Sequence, residues 1–301
     1  MTVNTNSNDN HEKNKAALSS VIAAVGLTLM KIVVGVLTGS LGILAEAAHS
    51  GLDLVAALVT LFAVKISGKA PDKQHHFGHG KVENLSALFE TLLLLATSVW
   101  IIYEAIQRLF FKSVEMEISI WAFLVMIVSI VIDASRSRML FKAAKKYKSQ
   151  ALEADALHFS TDIWSSSVVI LGLILVKLSE FFPNLAFLAN ADAVAAMAVA
   201  LIVVFVSVQM GIKTVKGLLD SAPDGMEDRI KEIVNAIPDV SNCHAVRVRE
   251  SGPQLFADIH IELPARLTIK TADAKTDVIE AKVKEEYPDI DITIHVEPTS
   301  I

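Results

Sequence analysis

The sequence contains a single cysteine and lacks the motifs of several large enzyme classes. Cys243 has no second cysteine with which to form an internal disulfide. The polar leader MTVNTNSNDNHEKNK has no apolar region and no small-residue cleavage site, so it does not resemble a signal peptide. We interpret residues 1–15 as a disordered cytoplasmic leader. There is no HExxH pair, no serine–histidine arrangement with a glycine elbow and no nucleotide-binding loop, so we expect no enzyme.

Long apolar runs dominate the first two thirds of the chain. Of its 301 residues, 52% are hydrophobic and 20% are charged, and the mean hydropathy of +0.49 is high for a soluble globular protein. A helix needs about 20 apolar residues to cross the roughly 30 Å hydrocarbon core of a bilayer. Six runs are long enough, at 16–38, 41–67, 84–110, 117–141, 156–179 and 191–212. The sequence therefore predicts an all-α membrane domain of six transmembrane helices over residues 16–215.

The basic residues collect on one side of these predicted helices. They lie in the leader, in the loops after the second and fourth helices, and just beyond the sixth. The loops on the opposite side hold only Arg108, Lys112 and Lys177. Because loops rich in lysine and arginine stay in the cytoplasm, we expect both termini to be cytoplasmic.

The last part of the chain has a different composition. No run after residue 217 is long enough to span a bilayer, and acidic residues outnumber basic ones there, which argues against nucleic acid as a partner. Apolar residues have helical spacing at 226–237, and a second helix is expected over about 270–287. Three strands are predicted, at 244–251, 255–263 and 291–297. Residues 217–301 are thus predicted to form a small cytoplasmic α/β domain of αββαβ order, with two helices on one sheet face, for regulation or dimerisation.

Two matching segments place ionisable residues inside predicted transmembrane helices. AEAAHSGLD (45–53) and ADALHFSTD (154–162) both read Ala-acid-Ala-x-His-x-x-x-Asp. His49 and Asp53, and likewise His158 and Asp162, are spaced to share one helix face. Two imidazoles and two carboxylates brought together from two helices would suit a tetrahedral Zn²⁺ ion. The alternative is that each pair is an interhelical hydrogen bond, but intramembrane ionisable residues are costly and mostly functional.

An acidic residue precedes each of these histidines by one helical turn. Glu46 and Asp155 could orient the ligands from a second layer or carry protons. The alternative interpretation, polar residues that pack one helix against another, is open at this point.

Two further clusters contain most of the remaining histidines. In the loop APDKQHHFGHGKVEN, Asp72, His75 and His79 have spacings that allow them to converge on one ion, although a solvated tether with chance histidines is the alternative. In the tail, each predicted strand carries one histidine, namely His244, His260 and His295. Glu297 follows His295 by two residues, so the two side chains share one face of the strand and can bind together. Cys243, beside His244, could be a soft ligand, although we interpret it as a buried structural residue.

Taken together, these motifs resemble the cation diffusion facilitator family of divalent-metal/proton antiporters. The resemblance rests on the six predicted helices, the two His-x-x-x-Asp pairs, the HHFGHGK loop and an αββαβ tail of the metallochaperone-like kind. It implies a secondary transporter that exports a divalent cation from the cytoplasm in exchange for protons. It also implies a homodimer in the inner (plasma) membrane of a bacterium, with no organic cofactor.

The resemblance also assigns residues to sites. The transport site falls on the two pairs, and His49 in place of aspartate favours Zn²⁺, which is also expected to bind in the tail as a regulator. In the tail, Asp273 stands where the family often has histidine, and Glu297 where it usually has aspartate. Lys81 and Asp220 match a charge lock between the loop and the end of the sixth helix.

Alternatives to zinc export are left open by the sequence. Fe²⁺, Mn²⁺, Cd²⁺ or Co²⁺ could be exported by the same mechanism. A metal-sensing membrane scaffold with little flux would carry the same ligands. An intramembrane metalloenzyme fits less well, because it would need an open coordination position and a catalytic motif.

Overall fold

Six long helices make up the first part of the computed structural model, which describes residues 7–110, 120–181 and 191–299. They are α1 (Ser7–Thr38), α2 (Leu41–Ser67), α3 (Lys81–Phe110), α4 (Ile120–Tyr147), α5 (Gln150–Phe181) and α6 (Ala191–Leu218). Within these ranges, five helices are long and apolar enough to cross a membrane, namely all except α5. The 32 residues of α5 span about 48 Å, which is sufficient, but its first half carries Glu153, Asp155 and Asp162. The predicted six-helix architecture is confirmed.

Helix α5 lies at the centre of the bundle. It contacts α2, α3, α4 and α6, whereas α1 packs mainly on α2 and α3 mainly on α6. Small residues on α5 are fully or almost fully buried, including Ala151, Ala154 and Ala156. Small side chains let helix backbones approach closely in a membrane, and here they let α5 pack on several neighbouring helices.

Helix α1 begins at Ser7, and this corrects part of the predicted disordered leader. Within the segment 7–15, the Asn10 amide donates to the carbonyl oxygen of Gly68, and the buried Lys13 ammonium donates to Glu83. These contacts join the start of α1 to the end of α2 and the start of α3. The polar composition of the leader gave no sign of them, because the partners lie far away in sequence.

The tail folds in the predicted αββαβ order. Its elements are α7 (Met226–Asn235), β1 (Asn242–Ser251), β2 (Gln254–Leu263), α8 (Ile269–Glu286) and β3 (Ile290–Pro298). The strands lie in the order β1-β2-β3, with β1 and β2 antiparallel and β2 and β3 parallel. Both helices pack on one sheet face, where the tail has a hydrophobic core of its own that includes Ile230, Val234, Ile259, Ile279 and Val283.

The turn between β1 and β2 contacts Gly80, just before α3, and Asn84 in the first turn of α3. The Gly252 amide donates to Asn84 Oδ1 at 3.1 Å. Gly80 lies so close to this turn that a Cβ atom added to it would overlap the carbonyl oxygen of Ser251. The backbone of the tail therefore contacts the backbone of the helical domain directly at Gly80.

Candidate metal centre

The two His-x-x-x-Asp pairs meet between α2 and α5. His158 Nε2 lies 3.2 Å from Asp53 Oδ1 and 3.6 Å from Asp162 Oδ2, and His49 Nε2 lies 3.9 Å from Asp53 Oδ1. Ligand atoms of His49, Asp53 and Asp162 all lie within 4.8 Å of one another. A tetrahedral zinc ion with bonds of about 2.1 Å needs its donors about 3.4 Å apart, so small side-chain rotations would complete the site. The structure thus brings all four predicted residues together.

A cavity of about 80 Å³ opens onto this site. The four ligands differ in their access to it, since the side chain of His158 is 4% exposed and that of His49 is 42% exposed. Its walls come from α1, α2, α4 and α5 and include further charged side chains: Lys31, Glu46, Asp133 and Arg136. The site is therefore a deep polar pocket with one buried and one accessible imidazole.

Glu46 and Asp155 both lie outside the group of closest ligand atoms. Glu46 borders the cavity and accepts a hydrogen bond at 3.3 Å from the buried ammonium of Lys31, which also donates to Ser50 Oγ at 2.7 Å. Asp155 is fully buried and accepts from Ser20 Oγ at 3.2 Å. Their roles as second-layer or proton-carrying residues stay predictions.

Several residues of the site were missed by the sequence reasoning. Lys31, Asp133 and Arg136 line the cavity, and Glu90 of α3 places Oε2 at 3.6 Å from His158 Nδ1. Arg136 pairs with Asp133 at 3.1 Å and lies over the ring of Phe159. Each of these residues is an ionisable side chain inside an apolar run, which by itself is a signal of function.

The loop cluster also converges. Asp72 Oδ1 lies 3.3 Å from His75 Nδ1, and Asp72 Oδ2 lies 3.4 Å from His79 Nε2. The backbone amides of His75 and Gln74 donate to Asp72 Oδ1, and these bonds lower the pKa of the carboxyl to about 2. The turn therefore holds an ionised oxygen ligand beside two imidazoles.

The tail histidines form a row across the sheet. His244 is paired with His260 on the next strand, and His260 with His295 on the third. Glu297 Oε1 lies 2.8 Å from His260 Nδ1, and Glu297 Oε2 lies 3.5 Å from His244 Nε2. The hydrogen bond with His260 lowers the pKa of Glu297 below its usual value. His244, His260 and Glu297 form a group that could hold a metal ion.

Two tail residues stand apart from this group. The outer His295 has Nε2 at 3.8 Å from Glu297 Oε1. Asp273 belongs to α8, which packs on the opposite sheet face through Ile279 and Val283, and it is not part of the group. Its role as a ligand stays a prediction.

The predicted charge lock has its partners in contact. Lys81 Nζ lies 3.0 Å from Asp220 Oδ1 and donates to the carbonyl oxygen of Leu218 at 3.1 Å. Arg249 of β1 approaches the same carboxylate at 3.8 Å. Asp220 thus lies between a cation of the bundle and a cation of the tail.

A membrane helical bundle with a convergent His/Asp site, followed by a compact α/β domain, defines a membrane transporter for metal cations. Residues 17–219 match the family model described as the cation efflux transmembrane domain, and residues 222–299 match the cytoplasmic domain of the cation efflux protein. The chain belongs to the cation efflux (cation diffusion facilitator) family and is a multi-pass membrane protein.

Two bacterial relatives match along almost their whole length. The cation-efflux pump FieF of Yersinia enterocolitica is 32% identical over 289 residues, which are 95% of this chain and 93% of the relative. The pump of the same name from Salmonella newport is 31% identical over 291 residues, with the same two coverages of 95% and 93%. Both relatives are pumps by name, and efflux of divalent metal cations follows for this chain.

Solved structures match a smaller share of the chain. One, titled as the mode of action of a putative zinc transporter CzrB, covers 27% of this chain and 100% of that chain at 23% identity, with a TM-score of 0.26. Another, the metal-bound C-terminal domain of the CzcD transporter from Thermotoga maritima, covers 24% of this chain and 86% of that chain at 36% identity, with a TM-score of 0.23.

Proposed function

We propose that this protein is a homodimeric antiporter of the inner membrane that exports Zn²⁺ from the cytoplasm in exchange for protons. The convergence of His49, Asp53, His158 and Asp162 is the observation that carries the proposal. Two imidazole nitrogens and two carboxylate oxygens are a donor set that Zn²⁺ accepts in tetrahedral geometry. An all-oxygen set would favour Mn²⁺ or Mg²⁺ instead.

Proton exchange follows from the chemistry of these ligands. An ion binds only to neutral imidazoles and ionised carboxylates, so protons and Zn²⁺ compete for the same atoms. Histidine changes its charge near neutral pH, which suits this competition. The ion would leave when the helices rock around the site and open it to the opposite side of the membrane. The cavity beside His49 is the access route on one side.

The other two clusters suit regulation. The loop cluster and the tail row lie outside the membrane helices, where they would sample the metal in the cytoplasm. Bound metal would neutralise carboxylates such as Glu297 and draw two tail domains together in the dimer. This proposal places both termini in the cytoplasm, in agreement with the basic loops.

Flux measurements on liposomes test the proposal. The full-length protein is reconstituted with a zinc-sensitive dye inside, and a pH-sensitive dye in parallel vesicles. We expect Zn²⁺ to enter and protons to leave with the wild-type protein. Asp162→Ala should abolish both signals, because it removes an oxygen ligand, while Asp228→Ala on the exposed tail surface should change neither.

Other results would contradict the proposal in whole or in part. Zinc flux without proton movement, or full flux in Asp162→Ala, would contradict antiport through this site. Faster transport of Mn²⁺ or Fe²⁺ than of Zn²⁺ would overturn the choice of metal only. Zinc binding without any flux would favour the metal-sensing scaffold.

A further inference from the structure

Glu90 is a buried carboxylate that borders the transport site without being one of its four ligands. It belongs to α3, and its side chain is 0% exposed. Thr60 Oγ1 of α2 donates a hydrogen bond to Glu90 Oε1 at 3.2 Å. Among the described residues, Glu90 Oε2 has no hydrogen-bond partner. A carboxylate held in the middle of a membrane bundle with one oxygen unused is a feature that needs an explanation.

The unused oxygen faces the ring of His158. Glu90 Oε2 lies 3.6 Å from His158 Nδ1, which also lacks a hydrogen-bond partner among the described residues. The other ring nitrogen, Nε2, points to the metal ligands, 3.2 Å from Asp53 Oδ1. The imidazole of His158 therefore stands between Glu90 and the ligand cluster, with one nitrogen directed to each.

We infer that Glu90 is a positioning residue that accepts the Nδ1 proton of His158 when the transport site holds its ion. Metal-binding histidines almost always donate their second N–H to a carboxylate, a carbonyl or water, and this fixes the tautomer and the ring orientation. The distance of 3.6 Å exceeds hydrogen-bond range by only a few tenths of an ångström. A slight turn of the ring toward an ion would close the pair, while Thr60 holds the carboxylate in place.

This arrangement makes the two histidines of the site unequal. His158 is buried and fixed from behind by Glu90, whereas His49 borders the cavity and is 42% exposed. His158 would thus keep its position through the transport cycle, and His49 would engage and release the ion. The inference rests on the proposed transport function, because it needs an ion at Nε2 of His158.

The affinity for Zn²⁺ tests the inference, measured on the full-length protein in detergent. The parent protein carries Asp72→Ala and His260→Ala, which remove ligands of the loop cluster and of the tail row. Zn²⁺ is titrated against a chromophoric chelator. We expect Glu90→Leu and Glu90→Ala to weaken binding by about 10- to 100-fold, as is typical for outer-layer partners of ligating histidines. Glu90→Gln keeps an acceptor oxygen and should lose less than about tenfold.

A matched control lies one turn earlier on the same helix. Ser86 is buried and contacts the same Thr60 hydroxyl at 3.3 Å. Ser86→Ala should bind Zn²⁺ like the parent protein. If Ser86→Ala loses as much affinity as Glu90→Leu, general packing explains the effect and the inference is wrong.

A second measurement reports the ring orientation directly. In zinc-loaded protein labelled with ¹⁵N-histidine, the His158 signals, identified by their loss in His158→Ala, should show a protonated Nδ1 and a ligated Nε2. Glu90→Leu should give a mixture of both ring orientations, and Glu90→Gln should restore the parent pattern. If one of the two apolar variants does not fold, the other one decides.

The outcomes separate this inference from the proposed function. If His158→Ala binds Zn²⁺ as tightly as the parent, the transport site itself is wrong. If His158→Ala abolishes binding but both apolar Glu90 variants keep the parent affinity and the parent ring signals, only the role of Glu90 is refuted.

Discussion

At the scale of single residues, charges buried in this membrane bundle occur in partnered sets. Lys31 is held by Ser50 and Glu46, and Arg136 by Asp133 and the ring of Phe159. An unpaired charge in a membrane interior is expensive, so each cation has a carboxylate within reach. The sequence shows these residues as single charges in apolar runs, and their partners become apparent only when the helices are packed.

Glu83, at the start of α3, is a buried carboxylate with three hydrogen-bond donors. It is 0% exposed and accepts hydrogen bonds from Lys13, Ser67 and Ser149. We expect Glu83→Ala to lower the free energy of unfolding by about 3–5 kcal/mol, because it leaves the Lys13 ammonium buried without its counter-charge. Unfolding of the purified protein in mixed micelles with increasing SDS measures this effect.

The control for Glu83 is a carboxylate in an exposed pair. Glu153 pairs with Lys213 at 2.6 Å, and its side chain is 34% exposed. Glu153→Ala should cost no more than about 1 kcal/mol. Equal losses for the two variants would refute the special role of the buried carboxylate.

At the scale of elements, one helix spacing and two strand pairings build two of the three candidate sites. On α2 and α5 the four-residue spacing puts histidine and aspartate on one face, and the contact between these helices joins the pairs. In the tail, strand register aligns three histidines that are far apart in sequence. The ligand types were predictable, while the register and the helix contact supply the geometry.

The two tail helices are joined by a pair that should make stability depend on pH. Arg229 of α7 donates to Glu286 of α8 through Nε and Nη2 at 2.9 Å, and this hydrogen bonding lowers the pKa of Glu286. A lowered pKa in the folded state stabilises the fold above the unfolded pKa, which is about 4.3, and the effect is lost as the pH falls through the folded pKa.

The variant Glu286→Gln tests this dependence. In a fragment covering residues 222–299, which contains the complete tail core, we expect its Tm to lie about 1–5 °C below wild type at neutral pH. The difference should shrink as the pH falls below about 4. Glu285→Gln, whose partner Lys282 lies on the same helix, is the control and should show a smaller difference at neutral pH. A difference for Glu286→Gln that stays constant down to low pH would contradict the assignment.

At the scale of the whole molecule, the two domains meet at the start of α3 and at Gly80 just before it. The Lys81–Asp220 pair, the Gly252–Asn84 hydrogen bond and the backbone contact at Gly80 all lie in this region. The loop cluster with His79 directly precedes it in the chain. The loop cluster therefore adjoins the start of α3, the helix that carries Glu90.

Gly80 tests how closely the domains are joined. A Cβ atom at this position would overlap the Ser251 carbonyl group, so Gly80→Ala should displace the hairpin turn and break the bond from Gly252 to Asn84. Overpacking of this kind costs about 1–3 kcal/mol, and we expect amide hydrogen exchange at residues 251–252 to rise about tenfold or more. Mass spectrometry of exchanged peptides measures it.

The control for Gly80 is a glycine with open space around it. A Cβ atom on Gly26 would meet nothing within 4 Å, so Gly26→Ala should leave exchange in the hairpin unchanged. Unchanged exchange in Gly80→Ala would mean that the tail does not rest on this loop in solution.

The sequence by itself determined the six long helices, the αββαβ tail and the identity of the candidate ligands. These features depend on local periodicity, on the length of apolar runs and on histidines at short spacings, all of which are properties of neighbouring residues. The sequence did not predict that α1 begins within the polar leader, because Asn10 and Lys13 are held by residues that are distant in sequence.

Only the tertiary structure decided which further residues join the predicted site. Glu90 meets His158 across 68 positions of sequence, and no local pattern relates the two. The separation of Asp273 from the histidine row likewise follows from α8 packing on the other sheet face. Contacts of this kind arise when hydrophobic helices and strands pack together, and that packing depends on the whole chain rather than on any one segment of it.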